Sequence, residues 1–362
     1  MSERICARCV MDTTDPDIVF DENGICNHCR QAEQMLVEIE KHKCEKDAII
    51  QKIKACGKGK SYDCLIGISG GVDSSYIAYL VKELGLRPLA VHFDNGWNSE
   101  LAVANIHNLL EQLDIPLYTY VLDWNEFRDL QMAFLRASTP DCEVPTDHMI
   151  FATLTAAAVK FHIKYIINGQ NTTSESILPK RWSYGHADWR YIKDIHRRFG
   201  SRRLKSFLHY SFLDDVYFTK VKKLQIINIL DYIDYDKENA KKMLMDRFGW
   251  KDYGGKHFES FYTRFYQSYI LNKKFGIDKR KMHLSSLIVA GQITRTEALR
   301  QLEEAPYDEQ TIGRDIEYFK EKMELSDGEY EEIMNAPVKS YLEYKYFDNG
   351  FWGKLMKTFG GQ

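Results

Sequence analysis

The chain has 362 residues, 44% hydrophobic and 28% charged, with 49 Lys and Arg against 52 Asp and Glu for a net charge of −3. That length allows two domains with sizeable cores, no apolar run approaches the ~20 residues that span a membrane, and no overall positive field draws nucleic acid. The opening Met1-Ser2-Glu3-Arg4 leads into polar sequence, so no export signal is expected and the eight cysteines read as those of a cytoplasmic protein. Four of them form Cys6-x2-Cys9 and Cys26-x2-Cys29 with sixteen residues between the pairs. Two such knuckles present four thiolates to a tetrahedral ion, the ligand set of a structural zinc ribbon. The intervening "MDTTDPDIVFDENGI" has the turns and short extended run of a ribbon hairpin; a redox pair or coincidental spacing is the alternative. His28, between ligands, reads as a bystander, and Cys44, Cys56, Cys64 and Cys142 show no pairing and read as small buried or incidental residues. Residues 31–55 are charged and heptad-like in places, which predicts a helix, followed by a flexible basic linker over 57–60. The first unit, 1–57, is therefore expected to be a zinc ribbon with its linking helix.

From Asp63 the pattern alternates between strand and helix. A short apolar run over 64–68 predicts a buried strand, and Ile77, Leu80, Val81 and Leu84 fall at i, i+3, i+4 and i+7 of a helix. Between them lies "SGGVDSS", 69–75. Its glycines let backbone N–H groups approach an anion, the helix start adds partial positive charge, and Ser69, Ser74 and Ser75 add hydroxyl donors. Asp73 is a carboxylate where a metal-bound phosphate could sit. A tight turn with a helix cap is the simpler alternative, but a cap needs one such residue rather than six. "GKGKS" at 57–61 imitates the end of the mononucleotide P-loop, yet Lys54 stands where that loop needs glycine and no strand precedes it. Further along come the strand "PLAVHFD" ending at Phe93, Asp94, Asn95 and Gly96, a helix through Ile106, Leu109, Leu110 and Leu113, and the strand "PLYTYVL". An apolar helix over 149–161 and the strand "KYIIN" follow, leading into Gly169, Gln170 and Asn171. Such alternation predicts an α/β doubly wound parallel sheet whose ligand lies beyond the carboxyl ends of the strands. The expected ATP contacts are Ser69, Gly70, Gly71, Asp73, Ser74, Ser75, Phe93, Asp94, Gly169 and Asn171, in a domain over 58–185.

Beyond residue 174 aromatics mix with Arg and His, and 186–362 is expected to be a mainly helical domain closing over the sheet. Phe258, Phe261, Tyr262 and Phe265 form a core-like stripe. The polar set Lys256, His257, Glu259, Arg264, Lys279 and Arg280 is harder to explain by packing; Lys256, His257 and Arg264 are the candidates to line an acceptor pocket. Asp147 and His148, in "CEVPTDH", either line that pocket or belong to a helix cap. Glu175 is either a second metal or ammonia contact or part of a surface ion pair. "HRRFGSRRLK", 196–205, is either a solvated basic face or the seat of an anionic substrate or partner.

SGGVDSS resembles the PP-loop of the ATP pyrophosphatase (adenine nucleotide alpha hydrolase-like) superfamily. With "CARCVMDTTDPDIVFDENGICNHC", "HFDNGW", "NGQN" and "GWKDYGGKHFES…KFGIDKRK", the chain resembles the N-acetyl sugar amidotransferases of bacterial surface-polysaccharide synthesis over essentially its whole length. The resemblance implies ATP and Mg²⁺ chemistry in which an amide oxygen is adenylated, ammonia displaces AMP, and an acetamidino sugar results. Asp73 and Glu175 would be catalytic, and Cys6, Cys9, Cys26 and Cys29 would hold Zn²⁺. No cysteine here has the Gly-x-Cys-x-Gly setting of a glutaminase nucleophile. The resemblance correspondingly implies a separate glutaminase similar to that of histidine synthesis, sometimes with a cyclase-like companion. A PP-loop tRNA-modifying, sulfurtransferase-like enzyme is the rival expectation. It is disfavoured by the lack of paired cysteines near the loop.

Overall fold

The computed structural model describes residues 4–254 and 258–350. The N-terminal segment closes with two short antiparallel bridges, Ile5 to Asp12 and Phe20 to Cys26. Two helices follow, α1 (Asn27–Lys43) and α2 (Lys46–Gly57), where the sequence predicts one. The break lets each helix face its own layer: α1 packs against the C-terminal helices, while α2 sends Ile50 and Ile53 into the core beneath the sheet. The stretch after α2 is not the flexible linker its composition suggests. Arg87 donates to the carbonyls of Gly57 (2.9 Å) and Lys60 (2.7 Å) and clasps buried Asp63 through Nη2 at 2.6 Å. A Cβ on Gly57 would lie 2.0 Å from an Asp63 oxygen, so only glycine fits under that clasp.

The sheet is built from β1 (Cys64–Gly67), β2 (Pro88–Asp94), β3 (Leu117–Val121) and β4 (Tyr165–Asn168), with α3 (Val72–Glu83), α4 (Glu100–Gln112), α5 (Trp124–Ala137) and α6 (Val144–Lys160) between them. After the short α7 (Thr172–Glu175), α8 (Trp189–Phe199) and α9 (Phe212–Val216) comes β5 (Gln225–Asn228), which extends the sheet from the region read as helical. All five strands are parallel in the order β3-β2-β1-β4-β5. Period-two alternation divides the strand side chains between two layers. Cys64 and Ile66 of β1 and Tyr165 and Ile167 of β4 pack with α3 and α10 (Lys237–Phe248), whereas Leu65, Leu89, Val91 and Ile166 pack on α6. Strand order reverses between β1 and β4, which defines a switch point at the carboxyl ends of those two strands.

The remaining helices are α11 (Phe261–Phe265), α12 (Leu271–Phe275), α13 (Arg280–Val289), α14 (Arg295–Glu303), α15 (Ile312–Met323) and α16 (Asp327–Asn335). Their core continues that of α5 and α8. Tyr262 and Phe265 are fully buried in it, while Phe258 and Phe261 stay half-buried beneath the Arg264 guanidinium. Among the described residues no helix is long and apolar enough to cross a membrane.

Candidate active site at the carboxyl ends of the strands

The turn after β1 is shaped by what it cannot hold. Gly70 has φ +84° and a Cβ there would lie 2.6 Å from the Ala102 carbonyl, so glycine alone fits. Gly71 caps α3, with Ser69 Oγ and a Glu259 oxygen 3.3 and 3.2 Å from where its Cβ would stand. Ser74 Oγ donates to the Gly71 carbonyl (3.1 Å) and accepts from Ser69 N (3.2 Å), which closes the loop on itself. Ser75 is fully buried and its hydroxyl has no protein partner. A buried hydroxyl without a partner is costly, and a phosphate oxygen would satisfy it. With the twelve-residue α3 starting here, the cradle fits a phosphate chain. Asp73 is a quarter exposed; its Oδ1 accepts from Tyr235 OH at 2.5 Å and its Oδ2 lies 3.5 Å from Lys237 Nζ. A partly exposed carboxylate at a phosphate cradle also fits Mg²⁺.

The other predicted contacts converge from neighbouring strands, with differences in role. Gly169 follows β4, and its Cβ position is 3.8 Å from Ser74 N. Asp94 at the end of β2 accepts from Gly96 N (2.9 Å) and Asn98 Nδ2 (3.4 Å), which holds the turn toward α4. Phe93 is not positioned by its side chain to touch a nucleotide: it is buried edge-on against Phe127 at 6.2 Å. Asn171 caps α7 by accepting from Thr173 N at 3.0 Å. Trp250 and Tyr253 then contact the cradle, and 259–261 pairs with the turn over 97–99. Trp250 Nε1 donates to the Gly70 carbonyl (3.2 Å), Tyr253 OH accepts from Val72 N (3.1 Å), and Glu259 O and Trp97 O accept from Ser99 N (2.9 Å) and Phe261 N (3.0 Å). Lys256 and His257 lie outside the described residues.

The start of α6 forms a buried acid-rich cluster around Lys279. Lys279 Nζ is 3.0 Å from Glu143 Oε2, which also accepts from Gln267 Nε2 at 2.7 Å, and Asp141 accepts from Ser183 Oγ at 2.6 Å. Burial disfavours the Lys279 ammonium, but Glu143 and Asp141 outweigh it and keep it charged. Asp147 retains exposed surface, yet desolvation by the surrounding walls, with Glu143 and Asp141 adding to it, pushes its pKa well above the carboxylate range. Half-buried Glu175 acts on Asp147 from α7.

Two predicted substrate residues have protein partners in this structure. Arg264 forms a two-pronged pair with Asp315 (2.8 and 2.9 Å) on α15. His148 has both ring nitrogens engaged: Nδ1 lies 2.7 Å from the His186 carbonyl, so it carries the proton, and Nε2 accepts from Tyr210 N at 2.9 Å. Its ring lies against both Trp189 and Phe207. Burial lowers its pKa to about 4. Because the unfolded side chain titrates near 6.5, stability is full above that pH and falls as pH drops toward 4. The expected loss is up to about 3 kcal/mol, and denaturant titrations at stepped pH should show it shrinking in His148→Gln.

The N-terminal cysteines fit a tetrahedral ion. All four sulfurs lie within 4.8 Å of one another, with separations of 3.7 Å for Cys9–Cys26 and Cys26–Cys29 and 3.9 Å for Cys6–Cys29. Zn–S bonds of ~2.3 Å give a tetrahedral edge of about 3.8 Å, far from the ~2.05 Å of a disulfide. His28 bonds Asp15 instead, at 2.7 Å.

Tyr235, Lys237, Trp250, Tyr253 and Glu143 were not singled out from the sequence, whereas Lys279 was, as part of the polar set near the acceptor pocket. Trp250 and Tyr253 do stand in the quoted "GWKDYGG" and Glu143 in "CEVPTDH", whereas "YDK" at 235–237 carries no local signal.

A parallel sheet with a Ser-Gly-Gly turn at its switch point is similar to the PP-loop ATP pyrophosphatase arrangement. Residues 259–358 match the family model described as LPS biosynthesis protein WbpG-like, C-terminal domain, so that PP-loop fold carries a WbpG-like C-terminal domain. Over 78 residues the chain is 33% identical to the tRNA-specific 2-thiouridylase MnmA of Desulfosudis oleivorans, covering 20% of this chain and 22% of that relative. The chain thus spans about a fifth of that relative's length. A longer match, 21% identical over 329 residues, joins it to tRNA-specific 2-thiouridylase MnmA 2 of Fusobacterium nucleatum, covering 81% and 88% of the two chains. Among solved structures, the NH3-dependent NAD synthetase of Campylobacter jejuni aligns with TM-score 0.30 and 14% identity, covering 57% of this chain and 83% of that one.

Proposed function

We propose that the chain is a cytoplasmic ATP-dependent amidotransferase that converts an acetamido group of a bacterial sugar or nucleotide sugar, such as a diacetamido uronic acid, to acetamidino. The observation that carries this reading is the direct seating of the segment leading into the WbpG-like domain on the phosphate cradle, through Trp250, Tyr253 and the 259–261 bridge. An amide oxygen is a poor leaving group, and its AMP ester is a good one. The amide oxygen attacks the α phosphorus and pyrophosphate leaves. Ammonia then adds to the activated carbon, AMP departs with the former amide oxygen, and one proton remains on the amidinium. The cradle aligns the phosphates, and transfer depends on positioning and charge neutralisation rather than covalent help. Mg²⁺, held by Asp73, would supply charge neutralisation at the phosphates.

Asp141, Glu143 and Asp147 gather around Lys279, an acidic setting that would suit ammonium. Asp147, whose pKa is raised by desolvation and by the neighbouring Glu143 and Asp141, would accept the proton that ammonium must lose. Asp147→Asn is expected to raise the KM for ammonium about tenfold while leaving the KM for ATP within twofold. Equal increases in both would argue for a structural role. Ammonia itself would come from a partner glutaminase of the histidine-synthesis type, with or without a cyclase-like companion. The purified chain is expected to turn over with ammonium chloride and not with glutamine until that partner is added. Robust glutamine-dependent turnover by the isolated chain would contradict this.

The length of the Fusobacterium match favours a second reading, tRNA thiolation. Cys64 and Cys142 are unsuited to carrying sulfur. Both are buried, and burial raises the thiol pKa of Cys64 and pushes that of Cys142 up to about 12. ATP-dependent thiolation of tRNA by the chain would restore that reading.

A further inference from the structure

The cradle over 69–75 contains no lysine or arginine, yet breaking an α–β phosphate bond leaves an extra negative charge on pyrophosphate. Among the described residues, the cation within 4 Å of the cradle carboxylate is Lys237. It is the first residue of α10, a helix capped by Asp236 through Asn239 N at 2.7 Å and packed against α3, so its backbone is fixed relative to the cradle. Asp73 is held asymmetrically. Nearly buried Tyr235 donates to Oδ1 at 2.5 Å, while Lys237 meets Oδ2 at 3.5 Å through a side chain one-third exposed. The tyrosine contact orients the carboxylate; the lysine contact is loose and solvent-accessible. Of the other cations on the same helix, Lys241 pairs with Asp252, Arg247 bonds Tyr79 at 2.8 Å, and Lys242 is exposed to solvent.

We propose that Lys237 is the pyrophosphate-binding cation of this site, parked on Asp73 until ATP arrives. This rests on the ATP-cleaving part of the function proposed above and not on the identity of the sugar. As the acceptor oxygen forms its bond to the α phosphorus, the bond from that phosphorus to the bridging oxygen breaks. The electron pair stays on the oxygen, now part of pyrophosphate. Lys237 moves from Asp73 Oδ2 to neutralise that oxygen, remaining protonated throughout. It touches the leaving group and is therefore catalytic; Tyr235, acting through Asp73, is a positioning residue.

Titration calorimetry with inorganic pyrophosphate, and separately with AMP, tests this on the full chain without any acceptor sugar. Lys237→Met is expected to weaken pyrophosphate binding about tenfold or more and leave AMP binding within twofold, while Lys237→Arg keeps most of the pyrophosphate affinity. Lys237→Gln serves the same purpose if the Met variant fails to fold. Pyrophosphate affinity within twofold of wild type in either neutral variant overturns the proposal. Loss of AMP and pyrophosphate binding together also overturns it, because that marks general damage to the site. A chain that leaves every acetamido sugar unmodified but shows the selective pyrophosphate effect refutes the sugar reading alone. A wild-type chain that binds no pyrophosphate refutes both.

Discussion

Asp73→Asn is expected to lower the release of AMP and pyrophosphate by roughly a hundred- to a thousandfold, with the fold intact. Removing the charge would take away the proposed ligand for Mg²⁺ and the partner of Lys237 in one step. The fold should survive because the Asn carbonyl still accepts from Tyr235 OH, and the lost ion pair is partly solvated and worth little. The check is a coupled pyrophosphate assay beside a thermal melt. A variant that keeps wild-type turnover, or loses turnover only because it unfolds, would remove Asp73 from the chemistry.

Cys6→Ser and Cys26→Ser should each lose zinc and lower the melting temperature by about 10 °C or more. Structural thiolate sites couple metal binding to folding, and here the metal would tie more than the ribbon. Arg295 donates to the carbonyls of Cys9 (3.1 Å) and Cys6 (3.2 Å), and Val10 N donates to Ser285 Oγ at 3.2 Å. The knuckle thus seats α13 and α14, and Ser286 of α13 in turn accepts from Ile177 N at 3.1 Å, close to Glu175. Losing zinc should therefore loosen the acceptor side of the site although no thiolate touches substrate. Full zinc occupancy in both variants would sink the assignment.

The parts of this arrangement that were legible in the sequence are those governed by local rules. The spacing of four cysteines, the strand-turn-helix pattern around SGGVDSS, and the turns after β2 and β4 each have a local physical signature. The rest depends on long-range packing. Nothing near "YDK" says that Tyr235 and Lys237 will reach Asp73, because that contact exists only once α10 lies on α3. His148 reads as a pocket residue from its polar neighbours, but Trp189, Phe207 and Tyr210, distant in sequence, make it part of a buried stack. Arg264 was ambiguous for the same reason: its partner Asp315 lies fifty-one residues away. Gly57 is the sharpest case, where a Gly-Lys composition suggests flexibility and a buried Asp63–Arg87 clasp removes it.

The central claim is that an amide oxygen is activated by transfer to the α phosphate of ATP and replaced by nitrogen. The most direct measurement uses a diacetamido sugar carrying a heavy oxygen isotope in its acetamido groups, incubated with the purified chain, ATP, magnesium and ammonium, with both products followed by mass spectrometry. The account predicts a sugar in which one oxygen has become NH and an equal amount of AMP carrying the heavy oxygen on its phosphate. An acetamidino sugar formed with unlabelled AMP, or ADP and phosphate as the stoichiometric products, would contradict it.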